Sequence, residues 1–171
     1  MKDDLIRPLT EEGIKDSKKV TEFLMDKNIT KIYSSPYKRA IDTIKDFSGK
    51  FSLDISIIDD FRERKIDSVW IEDFVSFSKN QWEDFNYKLD NGESLGETQI
   101  RNIKALINIL EENQEGNIIV GSHGAALSTI INYFKKDFGY YEFERIRDIM
   151  PLIVCFTFEG QEVVSIEEII L

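Results

Sequence analysis

Histidine, cysteine and proline are almost missing from this chain of 171 residues, which holds one, one and three of them. A single cysteine excludes an internal disulfide. Cys155 lies inside the apolar run Leu152-Ile153-Val154-Cys155-Phe156 and is expected to be a buried structural thiol. One histidine and one cysteine are too few for a zinc centre, and neither a metal nor a cofactor is expected. Basic residues are outnumbered, 22 Lys and Arg against 32 Asp and Glu. The resulting charge of −10 repels nucleic acid and anionic lipid, so neither is expected as a partner, while a small anionic ligand stays open where cations cluster. No apolar run is long enough to span a bilayer and no basic-then-apolar leader opens the chain, which makes the cytoplasm the expected location. The Gly-x-Ser-x-Gly elbow of serine hydrolases is also missing, since Gly121-Ser122-His123-Gly124 has the wrong spacing.

What the chain does have is the material for a core. Its residues are 42% hydrophobic and 12% aromatic, with charges scattered throughout, which predicts one ordered domain over 1–171. Thr10 caps a helix over 11–27 whose apolar stripe is Ile14, Val20, Phe23 and Leu24. A strand at 31–34 leads to Ser35 as N-cap and Pro36 as the first residue of a helix that Ser48-Gly49 ends, and a strand follows at 53–58. Between 69 and 89 the spacing of Trp70, Phe74, Phe77, Trp82 and Phe85 predicts a core-facing helix pair. Ser94-x-x-Glu97 is a capping box for a helix carrying Ile103, Leu106, Ile107 and Leu110. A strand at 118–121, a helix from Gly124 to about 134 and a hairpin of 152–158 with 163–170 complete the series. This alternation predicts an α/β fold, a three-layer α/β/α domain around a largely parallel mixed sheet, with ligands at the carboxyl ends of the strands.

Two of those strand ends carry chemistry. His123 stands between a strand and the Gly124-Ala125-Ala126 opening of a helix, where backbone N–H groups and the helix dipole favour an anion. Arg39 follows the strand end Ser34-Ser35-Pro36 in the first turns of the next helix, and its planar fork can hold two phosphate oxygens. A phosphate site is the first expectation, against the plainer readings of a structural histidine and a surface arginine. Asp59-Asp60 reads as an ordinary acidic turn.

The motifs Ser34-Ser35-Pro36-x-x-Arg39-Ala40-x-x-Thr43, Pro8-Leu9-Thr10-x-x-Gly13, Gly92-Glu93-Ser94 and Ser122-His123-Gly124 occur in one order and spacing. Over residues 8–158 the chain thereby resembles the histidine phosphatase superfamily, also called phosphoglycerate mutase-like. The resemblance implies a phosphomonoesterase acting through a phosphohistidine on a small phosphorylated metabolite, with phosphatase favoured over mutase by the short interval before Gly92. It gives catalytic roles to His123, Arg39 and Glu63, the last as proton donor to the leaving group, and makes Arg39, His123 and Gly124 the phosphate-binding set. Inorganic phosphate is an implied ligand, while oligomeric state stays open, a homo-oligomer by strand exchange being one possibility that an unpaired central strand position would favour.

One part of the family pattern has no counterpart. The Arg-His-Gly or Arg-His-Ala that ends the first strand, with the histidine that becomes phosphorylated, has no match in Met1-Lys2-Asp3-Asp4-Leu5-Ile6-Arg7. That strand is central in the family sheet, so a slot is expected in the middle of this one, costing apolar burial comparable with the stability of a whole domain. Neighbouring strands could close it, another chain could donate a strand, or Met1 is an internal start. The last is the favoured expectation, with a noncatalytic phosphate binder and an inactive remnant as alternatives.

Overall fold

The computed structural model describes residues 4–68 and 71–171. A 3-10 turn, Asp4–Ile6, precedes α1 (Glu11–Leu24), capped by Thr10, whose Oγ1 accepts the Gly13 N–H at 3.0 Å. Then come β1 (Ile29–Ser34), α2 (Lys38–Phe51), β2 (Ile55–Ile57), α3 (Phe74–Glu83), α4 (Leu95–Glu112), β3 (Asn117–Gly121), α5 (Gly124–Phe134), α6 (Tyr140–Ile146), β4 (Leu152–Glu159) and β5 (Glu162–Ile170). The expected capping box holds α4: Glu97 N–H donates to Ser94 Oγ while Ser94 N–H donates to the Glu97 carboxylate.

The strands form two sheets. One is parallel, in the order β2-β1-β3, and the other is the antiparallel pair β4-β5. The apolar faces nonetheless form continuous layers. On one side Ile32 of β1 and Ile119 of β3 pack under α1 and α2 with Val20, Leu24, Ile44 and Phe47, and Ile153 of β4 joins them. On the other, Tyr33, Ile118 and Val120 meet Ile109 of α4 and Ile130 of α5, and Phe156 and Phe158 of β4 reach the same cluster. The layered α/β arrangement is therefore as expected, while the mixed sheet is broken between β3 and β4.

Local departures have local causes. The helix after β1 does not start at Pro36, because Ser35 Oγ is bonded to His123 and to the Tyr37 N–H instead of capping; Tyr37 is the N-cap and Lys38 the first helical residue. Gly49 does not stop α2. The helix runs on to Phe51, whose ring stacks on Phe47 at 4.5 Å, and Ser52 makes the turn with φ of 54°. α1 ends at Leu24, leaving residues 25–27 outside it. The expected helix pair contributes one helix, α3; Val69 and Trp70 lie outside the described residues. Phe77 and Trp82 are buried as expected, and Trp82 packs on Phe138 and Phe143, the latter from α6, which no periodicity announced. Cys155 is exposed, because it lies on the side of β4 away from the α5 layer that buries its neighbours.

Candidate active site at the ends of β1 and β3

Gly121 explains how the two strand ends come so close. A Cβ there would lie 2.8 Å from Ser34 Oγ and 3.1 Å from Ile44 Cδ1, so a larger residue would push β3 away from β1 and α2. The Ser35 N–H donates to the Gly121 carbonyl at 2.9 Å, extending the ladder past both strands. Ser35 and His123 are thereby brought together: a 2.7 Å hydrogen bond joins Ser35 Oγ to His123 Nε2, and both residues are buried.

Tyr37 joins this cluster. Its ring meets the His123 imidazole edge-on with centroids 4.9 Å apart, and the Arg39 guanidinium lies 4.6 Å from the centre of the same ring. Burial, then the charge of Arg39, pushes the His123 pKa down to about 3; the Asp4 carboxylate opposes this, and Arg101 and Arg7 add smaller contributions downward. The imidazole is therefore neutral near pH 7, able to give or take one hydrogen bond at each nitrogen but carrying no charge of its own. Arg39 supplies the charge. Its side chain is mostly buried, and its fork already grips an anion: Nη1 donates to the Asp4 carbonyl at 3.0 Å, Nη2 to the Asp4 carboxylate at 3.2 Å, and Arg7 reaches that carboxylate at 3.2 Å.

Glu63 is brought to the same region by a different contact. Its carboxylate accepts the N–H groups of Ala125 and Ala126 at 3.1 Å each and that of Arg64 at 2.7 Å, so it caps α5. Gly124 is the exposed first residue of that helix, next to the buried His123. Among the described residues no group of side chains could hold a metal ion.

A second cluster lies behind the site. Glu93 binds Arg101 through two oxygens at 3.0 and 3.1 Å and Arg62 at 2.9 Å, while Arg101 also donates to the Asp60 and Arg62 carbonyls. Glu93 also accepts the Lys65 N–H, and desolvation notwithstanding, these donors hold its carboxyl below the usual range. The Glu93 of the Gly-Glu-Ser motif thus ties α4 to the loop that delivers Glu63.

His123, Arg39, Glu63 and Gly124 all fall at this end of the molecule. Tyr37 and Asp4 were not anticipated, and Ser35, expected at a ligand-binding strand end, was read as a helix cap and not as the partner of His123. Ser35 and Tyr37 could have been read from their place two to four residues before Arg39, whereas nothing in the sequence marks Asp4.

A family model of the histidine phosphatase superfamily, branch 1, matches residues 6–164. The chain belongs to that superfamily. Solved structures of similar fold include phosphatases. A mycobacterial glucosyl-3-phosphoglycerate phosphatase in complex with VO3 aligns over 100% of this chain and 90% of its own, at 15% identity and a TM-score of 0.77. A phosphoserine phosphatase from Entamoeba histolytica in complex with phosphoserine aligns over 95% and 88%, at 21% identity and 0.75. Bacillus stearothermophilus YhfR aligns over 92% and 82%, at 20% identity and 0.73. No curated protein matches by sequence. The Ser-Ser-Pro-x-x-Arg and Ser-His-Gly motifs of this chain meet at the adjacent ends of β1 and β3.

Proposed function

We propose that this chain carries the phosphate-binding half of a phosphomonoesterase site for a small phosphorylated metabolite. The observation that carries this reading is Arg39, mostly buried, already holding a carboxylate in its fork beside a buried neutral imidazole. In the proposed reaction the Asp4 carboxylate leaves and a phosphoryl group enters, taking two hydrogen bonds from Arg39 and one from His123. An imidazole from outside this chain attacks phosphorus in line, its nitrogen–phosphorus bond forming as the ester P–O bond breaks. As the phosphoryl group takes the helix end, the Glu63 carboxylate leaves its α5 N–H bonds and takes a proton from solvent, gives that proton to the departing oxygen, and in the next step regains one from the attacking water. Water then attacks phosphorus, the nitrogen–phosphorus bond breaks, and phosphate and free imidazole are restored.

His123 is not the nucleophile in this reading, since its Nε2 is bound to Ser35 Oγ. A second reading has an observation of its own: with one histidine in the sequence, the site as it stands suits binding without turnover. Phosphate titration followed by 31P NMR, with hydrolysis of an aryl phosphate measured alongside, tests both. Binding lost in Arg39→Ala and His123→Ala, with turnover appearing only when the chain is extended upstream through an Arg-His segment, supports the phosphatase. Binding without turnover in either form supports the phosphate binder, and no binding overturns both.

The cytoplasm is the proposed location, supported by the exposed free thiol of Cys155, which suits a reducing compartment. No helix among the described residues is long and apolar enough to cross a membrane.

A further inference from the structure

Ser35 is fully buried, so the proton of its hydroxyl needs an acceptor inside the protein. Two groups meet its Oγ. The Tyr37 N–H, at 3.3 Å, can only donate, whereas His123 Nε2, at 2.7 Å, can give or take. Were Nε2 to carry the single proton of the neutral imidazole, Oγ would receive two donors, and its own proton would have no acceptor among the described residues. The network is satisfied in one direction only: Tyr37 N–H donates to Ser35 Oγ, and the Ser35 hydroxyl donates to Nε2. The imidazole proton is then on Nδ1.

The helix that follows His123 agrees with this. His123 is the N-cap of α5, a position whose side chain commonly accepts an N–H from the first turn, yet it accepts none. The N–H groups of Ala125 and Ala126 go to the Glu63 carboxylate instead. A protonated Nδ1 cannot accept a hydrogen bond, which leaves the capping to another residue. Nδ1 itself has no hydrogen-bond partner among the described residues. Of the two ring nitrogens it is the one nearer the backbone, and so nearer the helix end where an anion is favoured. The Tyr37 ring packs edge-on against the imidazole at 4.9 Å and helps to keep Nε2 turned to Ser35.

We propose that Ser35 is a positioning residue whose hydroxyl fixes the His123 proton on Nδ1, so that the imidazole meets a phosphoryl group as a hydrogen-bond donor. In the other tautomer Nδ1 would present a lone pair to the anion and repel it. Ser35 acts through His123 and need not touch the ligand. This inference rests on the phosphate reading and deepens it by naming the donor atom and the residue that sets it.

A single histidine makes the test direct, because the ring gives one set of 15N signals. In the labelled native chain at pH 7, without phosphate, Nδ1 should be protonated and Nε2 bare. Ser35→Ala, checked for a native amide spectrum, should let the proton populate both nitrogens and weaken phosphate binding by about fivefold, as the binding-competent tautomer loses the bias of one hydrogen bond. Ser35→Thr keeps a hydroxyl and should return both the tautomer and the affinity. The tautomer is the readout that a purely structural serine would not move. A proton on Nε2 in the native chain overturns the inference, and so does a Ser35→Ala chain whose proton stays wholly on Nδ1. Failure of the phosphate reading looks different: a protonated Nδ1 in a chain that binds no phosphate at millimolar concentration overturns that reading and the donor role with it, while the hold of Ser35 on the tautomer stands.

Discussion

Two arginine–carboxylate clusters in this molecule use the same residue types to opposite ends. Around Glu93 the cations are enclosed: Arg101 is 10% exposed and its donors go to Glu93 and to two carbonyls of the loop 60–62. Around Arg39 the anion is Asp4, 47% exposed and carried on a three-residue 3-10 turn. The first carboxylate cannot leave without stranding two cations, whereas the second can be exchanged for another anion at little cost. An arginine–carboxylate pair is therefore a scaffold or a site according to how replaceable its partner is, not according to which residues form it.

The largest effect expected from breaking this contrast is at Glu93. Glu93→Ala leaves Arg101 and Arg62 without their counter-charge and should cost about 3 kcal/mol in chemical denaturation. A loss below about 1 kcal/mol would show that the cluster is no more structural than the Arg39 pair.

Next is the pH dependence set by His123. Its pKa is about 3 when folded against 6.5 when unfolded, so the unfolded chain binds the proton first. The stability this residue contributes is complete above pH 6.5 and is lost as pH falls from 6.5 toward 3. Denaturation across that range should show the fall, and His123→Gln should flatten it. An unchanged profile in the variant would remove burial of a neutral imidazole from the account of the site.

At Arg39 the effect is on ligand more than on fold. Arg39→Lys keeps the charge but loses the fork, and phosphate affinity should weaken about tenfold. Equal affinity would mean that a point charge suffices. The smallest effect is at Asp4. Asp4→Asn removes the competing carboxylate, and phosphate should bind up to about fivefold tighter, in keeping with the modest worth of a half-exposed pair. Weaker binding would make Asp4 part of the site instead of its occupant.

The residues alone determined a good deal. Apolar periodicity and caps such as Thr10 and Ser94 act within one or two helical turns, and they specified α1, α4, α5 and the β4-β5 hairpin. The positions of Arg39 and His123 at strand ends were legible for the same reason: each motif is continuous in sequence. What needed the tertiary structure was every choice settled by a distant partner. Ser35 reads as a helix cap until His123, 88 residues away, takes its hydroxyl. Nothing near Glu63 in the sequence announces that the α5 N–H groups, 62 and 63 residues away, hold its carboxylate. Cys155 reads as core because its neighbours are apolar, but burial depends on what covers each face of the sheet, and Cys155 lies on the side of β4 away from the α5 layer. Asp4 on Arg39 had no local signal at all, since a carboxylate and a guanidinium 35 residues apart meet only where the fold brings them. Local sequence sets backbone preference within a few residues, whereas pairing, burial and charge compensation belong to the packed chain.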